Sequence, residues 1–142
     1  MVELAVYNLL AADATLRALL GGSAGVDSKI YPIRAPQSKA YPFITYAVSA
    51  YGDTNEYVHT DRLTLKIVEP DYNNQRAIRD RLIVLLDYDK NQGKITFTSA
   101  NYRIEYSRLV GGQDMEDTIK DQDTEETIIN LIQIYEFTWL YR

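Results

Sequence analysis

Apolar side chains recur at helical spacing at the start of the chain, where Val2, Val6, Leu9 and Leu10 fall at i, i+4, i+7 and i+8. Asp13 is suited to cap a second short helix burying Leu16, Leu19 and Leu20, and Gly21 to end it in the left-handed conformation. Residues 22–42 hold three prolines and few apolar anchors, which predicts an ordered loop pinned by Ile30 and Tyr31. The period then changes to two. Ile44, Tyr46 and Val48 alternate with Thr45, Ala47 and Ser49, and Leu63, Leu65 and Ile67 alternate with Arg62, Thr64 and Lys66, predicting two strands.

Between those strands lies a stretch too long for a tight turn, so residues 50–61 are expected to protrude as a hairpin loop. Pro70 and Asp71 predict the start of a helix running to about Leu86, with Ala77, Ile78, Leu82, Leu85 and Leu86 as its apolar stripe and Arg76, Arg79 and Arg81 toward solvent. Ile95 and Phe97 alternate with Thr96 and Thr98 as a short strand. Residues 102–110 follow as another, with Tyr102, Ile104, Tyr106 and Val110 on one face. The last strand, 127–141, is apolar on both faces, which predicts an interior position in the sheet or an added interface on its outer face. The fold expected is α+β: a mostly antiparallel sheet of about five strands, with an N-terminal helical pair and a central helix packed on it. A chain of 142 residues is one domain by size, with loops protruding at about 50–61 and 111–126.

Charge is concentrated in one segment. Residues 114–126 carry seven carboxylates against Lys120, a net of −6, while the whole chain carries −5, so the remainder is at +1. The same segment follows Gly111 and Gly112 and includes Met115 and Ile119, apolar side chains for which a purely solvated loop has no use. The chain has no cysteine, hence no disulfide, no thiolate nucleophile and no Cys-ligated zinc. No apolar run approaches the roughly 20 residues that span a bilayer, and no basic run precedes the first apolar residues as in a secretory signal, so no membrane partner is expected. Tyrosine is used 12 times against three Phe and one Trp, a preference shared by mixed sheets and by surfaces that become interfaces.

Catalytic constellations are missing. His59 is the only histidine and lies in the expected 50–61 loop, so a general base has no positioned partner. The acidic run at 121–126 departs from a calcium loop, with Glu126 where the sharp-turn Gly belongs. The run from Gly21 to Gly25 lacks the Gly-Lys-Ser/Thr ending of a phosphate-binding loop. Arg76, Arg79 and Arg81 are not interleaved with aromatics, and a net charge of −5 disfavours tight DNA binding. No catalytic, cofactor or metal site is expected.

The succession Leu9-Leu10-Ala11-Ala12-Asp13, Leu16, Leu19-Leu20-Gly21-Gly22, Ile30-Tyr31-Pro32, Ala35-Pro36 and Tyr41-Pro42-Phe43-Ile44-Thr45-Tyr46 resembles the small tail-completion proteins (tail terminators, head–tail joining proteins) of long-tailed bacteriophages and prophages. The resemblance continues through the second strand, the Asp-capped helix and the C-terminal strands. It implies a non-enzymatic virion protein, assembled in the bacterial host cytoplasm. Such a protein caps the head-proximal end of the tail tube as a ring, commonly of six copies, and joins it to the head connector. Its implied partners are further copies of itself, the tail-tube protein and the head-completion or connector protein, with DNA only passing through the lumen.

Interface candidates follow from residue chemistry. They are Tyr51, Asp53, Glu56, Tyr57 and His59 in the first expected loop, and Met115, Ile119, Asp121, Asp123, Glu125 and Glu126 in the second; Arg34 and the Pro-rich loop are lesser ones. Two alternatives stand beside this reading. One is another ring-forming virion part, a tail-tube or head-connector protein. The other is a small enzyme or ligand-binding domain with a pocket under the 22–42 loop lined by Tyr31, Tyr41 and Tyr46.

Overall fold

The computed structural model describes residues 2–22, 28–35, 40–50, 58–87, 102–121 and 124–141. Helix α1 (Val2–Ala12) buries Ala5, Val6 and Leu10. Asp13 takes an extended conformation and its carboxylate accepts from Leu16 N at 2.8 Å, which starts α2 (Ala14–Leu20). Gly21, at φ 69°, ends it, its N–H donating to Ala18 O. The expected loop at 22–42 contains a strand, β1 (Ile30–Pro32), that runs parallel to the start of β2 (Phe43–Ala50). Tyr31 and Tyr41 pack against the Phe43 ring, and buried Tyr46 meets Tyr7.

Strand β3 (Val58–Val68) begins four residues earlier than periodicity predicts, so residues 58–61 are strand and not loop. Residues 51–57 lie outside the described residues, as does the strand expected around Ile95 and Phe97. Helix α3 (Tyr72–Leu86) starts where expected, with Asp71 accepting from Asn73 N at 2.9 Å. It buries Ile78, Leu82, Leu85 and Leu86.

The largest departure from expectation is at the C-terminus. The expected loop at 111–126 is instead the outer half of a hairpin made by β4 (Tyr102–Asp121) and β5 (Thr124–Tyr141), paired from Tyr102 and Tyr141 to Asp121 and Thr124. High charge density suggested a solvated loop. Strand pairing decides otherwise: the ladder is unbroken from Gly111 to Asp121, Lys120 stands opposite Glu125, and Thr118 opposite Thr127.

The sheet has five strands in the order β1-β2-β3-β5-β4, antiparallel except for the first pair, and the fold is α+β. The interior position expected for the last strand is the one β5 occupies. Its Leu131, Tyr135, Phe137 and Trp139 join Ile44, Tyr46, Leu63, Leu65 and Ile67 in one core with the apolar stripes of the three helices. The opposite face, with Thr64, Lys66, Ile132, Ile134 and Thr138, is half-buried. In β4 the predicted face is broken by register shifts between Ile104 and Tyr106 and between Leu109 and Gly111. An extra residue in one strand turns the following side chains over. Ile104 and Ser107 are therefore buried while Tyr106 and Val110 are exposed.

Candidate protein interface

The hairpin outgrows the sheet that carries it. Pairing of β3 with β5 ends at Val68 and Asn130, whereas β4 stays paired with β5 out to Asp121 and Thr124. From Glu116 opposite Ile129 to the turn, the extension projects about 20 Å at strand rise. Five carboxylate residues (Glu116, Asp117, Asp121, Glu125 and Glu126) fall on this two-stranded projection, with Asp114 at its stem.

Two residue pairs, Arg76 with Asp114 and Asp87 with Leu109, anchor the stem at α3. One Arg76 nitrogen donates to both carboxylate oxygens of Asp114, at 2.8 and 3.0 Å, and the guanidinium lies 4.5 Å over the Tyr72 ring. The hydrogen bond to Asp114 holds the Arg76 pKa above its ordinary value. Asp87, just past α3, accepts from Leu109 N at 3.1 Å and fixes β4 at its second register shift. Gly112 lets the two strands approach, since a Cβ there would come within 2.6 Å of Ile132 O. Between α3 and the stem runs a groove of about 500 Å³ lined by Arg79, Ile83, Leu109, Val110, Leu131 and Ile132 among others.

Of the three arginines expected to face solvent, two are tied down. Arg76 holds Asp114, and Arg81 holds the α2 cap, donating to Asp13 at 2.6 and 2.9 Å. The Arg81 hydrogen bond outweighs partial burial and lowers the Asp13 pKa. Only Arg79 stays local, pairing with Asp80 at 2.8 Å.

The candidates named from sequence fall in three places. Tyr51, Asp53, Glu56, Tyr57 and Asp123 lie outside the described residues. Met115, Ile119, Asp121, Glu125 and Glu126 are brought together on one hairpin, with Ile119 opposite Glu126 and Met115 opposite Asn130; their side chains are outside the description. His59 is a strand residue in β3 rather than a loop residue. Its ring stacks on its register partner Trp139 at 4.4 Å, while the Trp139 indole donates to buried Asp61 at 2.7 Å. The sequence reading places Arg76 largely toward solvent, takes Gly112 as the start of a loop, and gives Ile33 and Val110 no interface role. Only the Gly111-Gly112 pair carried a local signal.

Among the described residues no group of three or more His, Cys, Asp or Glu is placed to hold a metal ion, and no helix is long and apolar enough to cross a membrane. The arrangement offers a long projecting hairpin, a groove at its stem and exposed apolar side chains.

No family model matches the chain, and no curated protein matches it in sequence. Among solved structures it is similar to a chain of the virion of a native gene transfer agent particle, at 15% identity and a TM-score of 0.60, covering 96% of this chain and 92% of that one. At that identity the likeness is one of fold, and it spans nearly the whole of both chains.

Proposed function

We propose that this chain is a virion structural protein that caps the head-proximal end of a phage-type tail tube as a ring and joins the tail to the head connector. The observation that carries this reading is the end-to-end likeness in fold to a gene transfer agent virion chain. The resemblance of residues 9–46 to tail-completion proteins supports the capping role in particular. A projecting hairpin and a groove suit a protein whose work is binding rather than catalysis. The partners in this reading are further copies of the chain, the last ring of tube protein and the connector, with DNA passing through the lumen.

Electron microscopy of particles made without this protein tests the reading. Tails of uncontrolled length, or tails unattached to filled heads, are expected. Normal virions would overturn it.

A further inference from the structure

Large apolar side chains that stand exposed among the described residues are Leu4, Ile33, Tyr72, Val84, Tyr106 and Val110. The topology sorts them to two ends of the molecule. Tyr72 and Val84 lie on α3, and Tyr106 and Val110 on β4, the strand at one edge of the sheet. Leu4 lies on α1, and Ile33 directly follows β1, the strand at the other edge. Helix α1 is fastened at that second edge, where the Tyr7 hydroxyl meets that of Ser28 at 3.2 Å.

Ile33 is the most exposed of these, at 80%, and its φ is 64°. A β-branched side chain adopts that conformation only under constraint. The constraint is visible: Ile33 N donates to Tyr46 O at 2.8 Å and Arg34 N to Pro32 O at 2.6 Å. The chain thus holds a β-branched residue in the left-handed region and presents its side chain to solvent.

Registers across the sheet set the two edges level. Ile30 is in line with Ile44, Ile67, Leu131 and Asp114, and Pro32 with Tyr46, Leu65, Gln133 and Gly112. Ile33 therefore falls level with the Gly111 row, beside Val110 and the groove. Strand β1 runs with β2, and the directions alternate from β2 to β4, so β1 of one copy meets β4 of an unflipped neighbour antiparallel. Charge agrees with this pairing. Lys29, just before β1, falls level with Met115 beside Asp114, where the acidic extension begins.

We infer that a second copy of this chain seats its β1 edge, with Lys29 before it and Ile33 after it, in the groove between α3 and β4. The contact joins two different surfaces, so it repeats from copy to copy and closes into a ring where the rotation permits. It rests on the ring reading above for its biological setting and deepens it by naming the two faces that meet.

The full chain has no native cysteine, so engineered thiols report the contact cleanly. Ile33→Cys and Val110→Cys variants, mixed at high protein concentration under mild oxidation, are expected to give a disulfide-linked dimer that neither variant gives alone. The double variant is expected to give a ladder of multiples. Lys29→Glu in the Ile33→Cys chain is expected to cut the yield several-fold. Efficient dimers from Ile33→Cys alone, or a mixed yield no greater than that of Ala47→Cys with Val110→Cys, would overturn the contact. Particles made without the protein separate the two claims. If they are normal while the cross-link forms, the tail-capping reading fails and the self-contact stands. If they are defective while the double variant shows no cross-link on assembled tails, the contact fails and the capping reading stands.

Discussion

Asp13 serves two elements at once. Its carboxylate caps α2 through Leu16 N and receives the fork of Arg81 from α3. Its folded-state pKa lies below the ordinary aspartate value of 3.8, chiefly because of that arginine. The stabilisation is whole above the ordinary value and is lost as the pH falls from there through the lowered one. Arg81→Gln is expected to cost about 1–2 kcal/mol at neutral pH and to flatten stability against pH below about 4, read by chemical denaturation at a series of pH values. Gly112 and Gly111 form a second pair with opposite expectations. Gly112→Ala sets a Cβ against Ile132 O and is expected to destabilise by about 1–3 kcal/mol. Gly111→Ala has open space within 4 Å and is expected to stay within about 0.5 kcal/mol, both measured by urea unfolding.

The hairpin is the element whose length the domain itself does not explain. Its inner half completes the sheet and contributes Tyr135, Phe137 and Trp139 to the core, whereas beyond Asn130 strand β5 pairs, among the described residues, with β4 alone. Met115 and Asn130 are register partners, so an Asn-Gly turn joining them in place of residues 116–129 closes a shorter hairpin. That variant is expected to keep its unfolding free energy within about 1 kcal/mol, because the deleted part makes no sheet pairing with β3. It is expected at the same time to abolish tail joining in a complementation assay. Full joining by the shortened protein would remove the extension from any account of the interface.

At the scale of the whole molecule, one sheet face is closed by three helices and the two sheet edges differ. One edge is a three-residue strand flanked by Lys29 and Arg34, and the other a 20-residue strand that carries the acidic stretch. A subunit with unlike edges is suited to head-to-tail association, the geometry of rings and open filaments. That asymmetry joins the proposed ring to the features of the isolated fold.

Local signals were read correctly wherever a residue acts on its immediate neighbours. Asp13 and Asp71 cap helices because their carboxylates reach amides two or three residues on, and Gly21 ends α2 because it tolerates positive φ. The alternation in β2, in the later part of β3 and in β5 followed from burial of one face, and the two-sided apolarity of β5 indicated its interior place. Tertiary structure decided the rest. Strand β1 has too few residues to show a period and exists through pairing with residues 44–46. The acidic run became strand because its backbone groups found partners across the hairpin, a long-range outcome that charge density does not report. Arg76 and Arg81 were drawn from solvent by carboxylates 38 and 68 residues away in sequence. The groove and the two exposed edges are built from elements far apart along the chain, so only the order of strands in the sheet placed them.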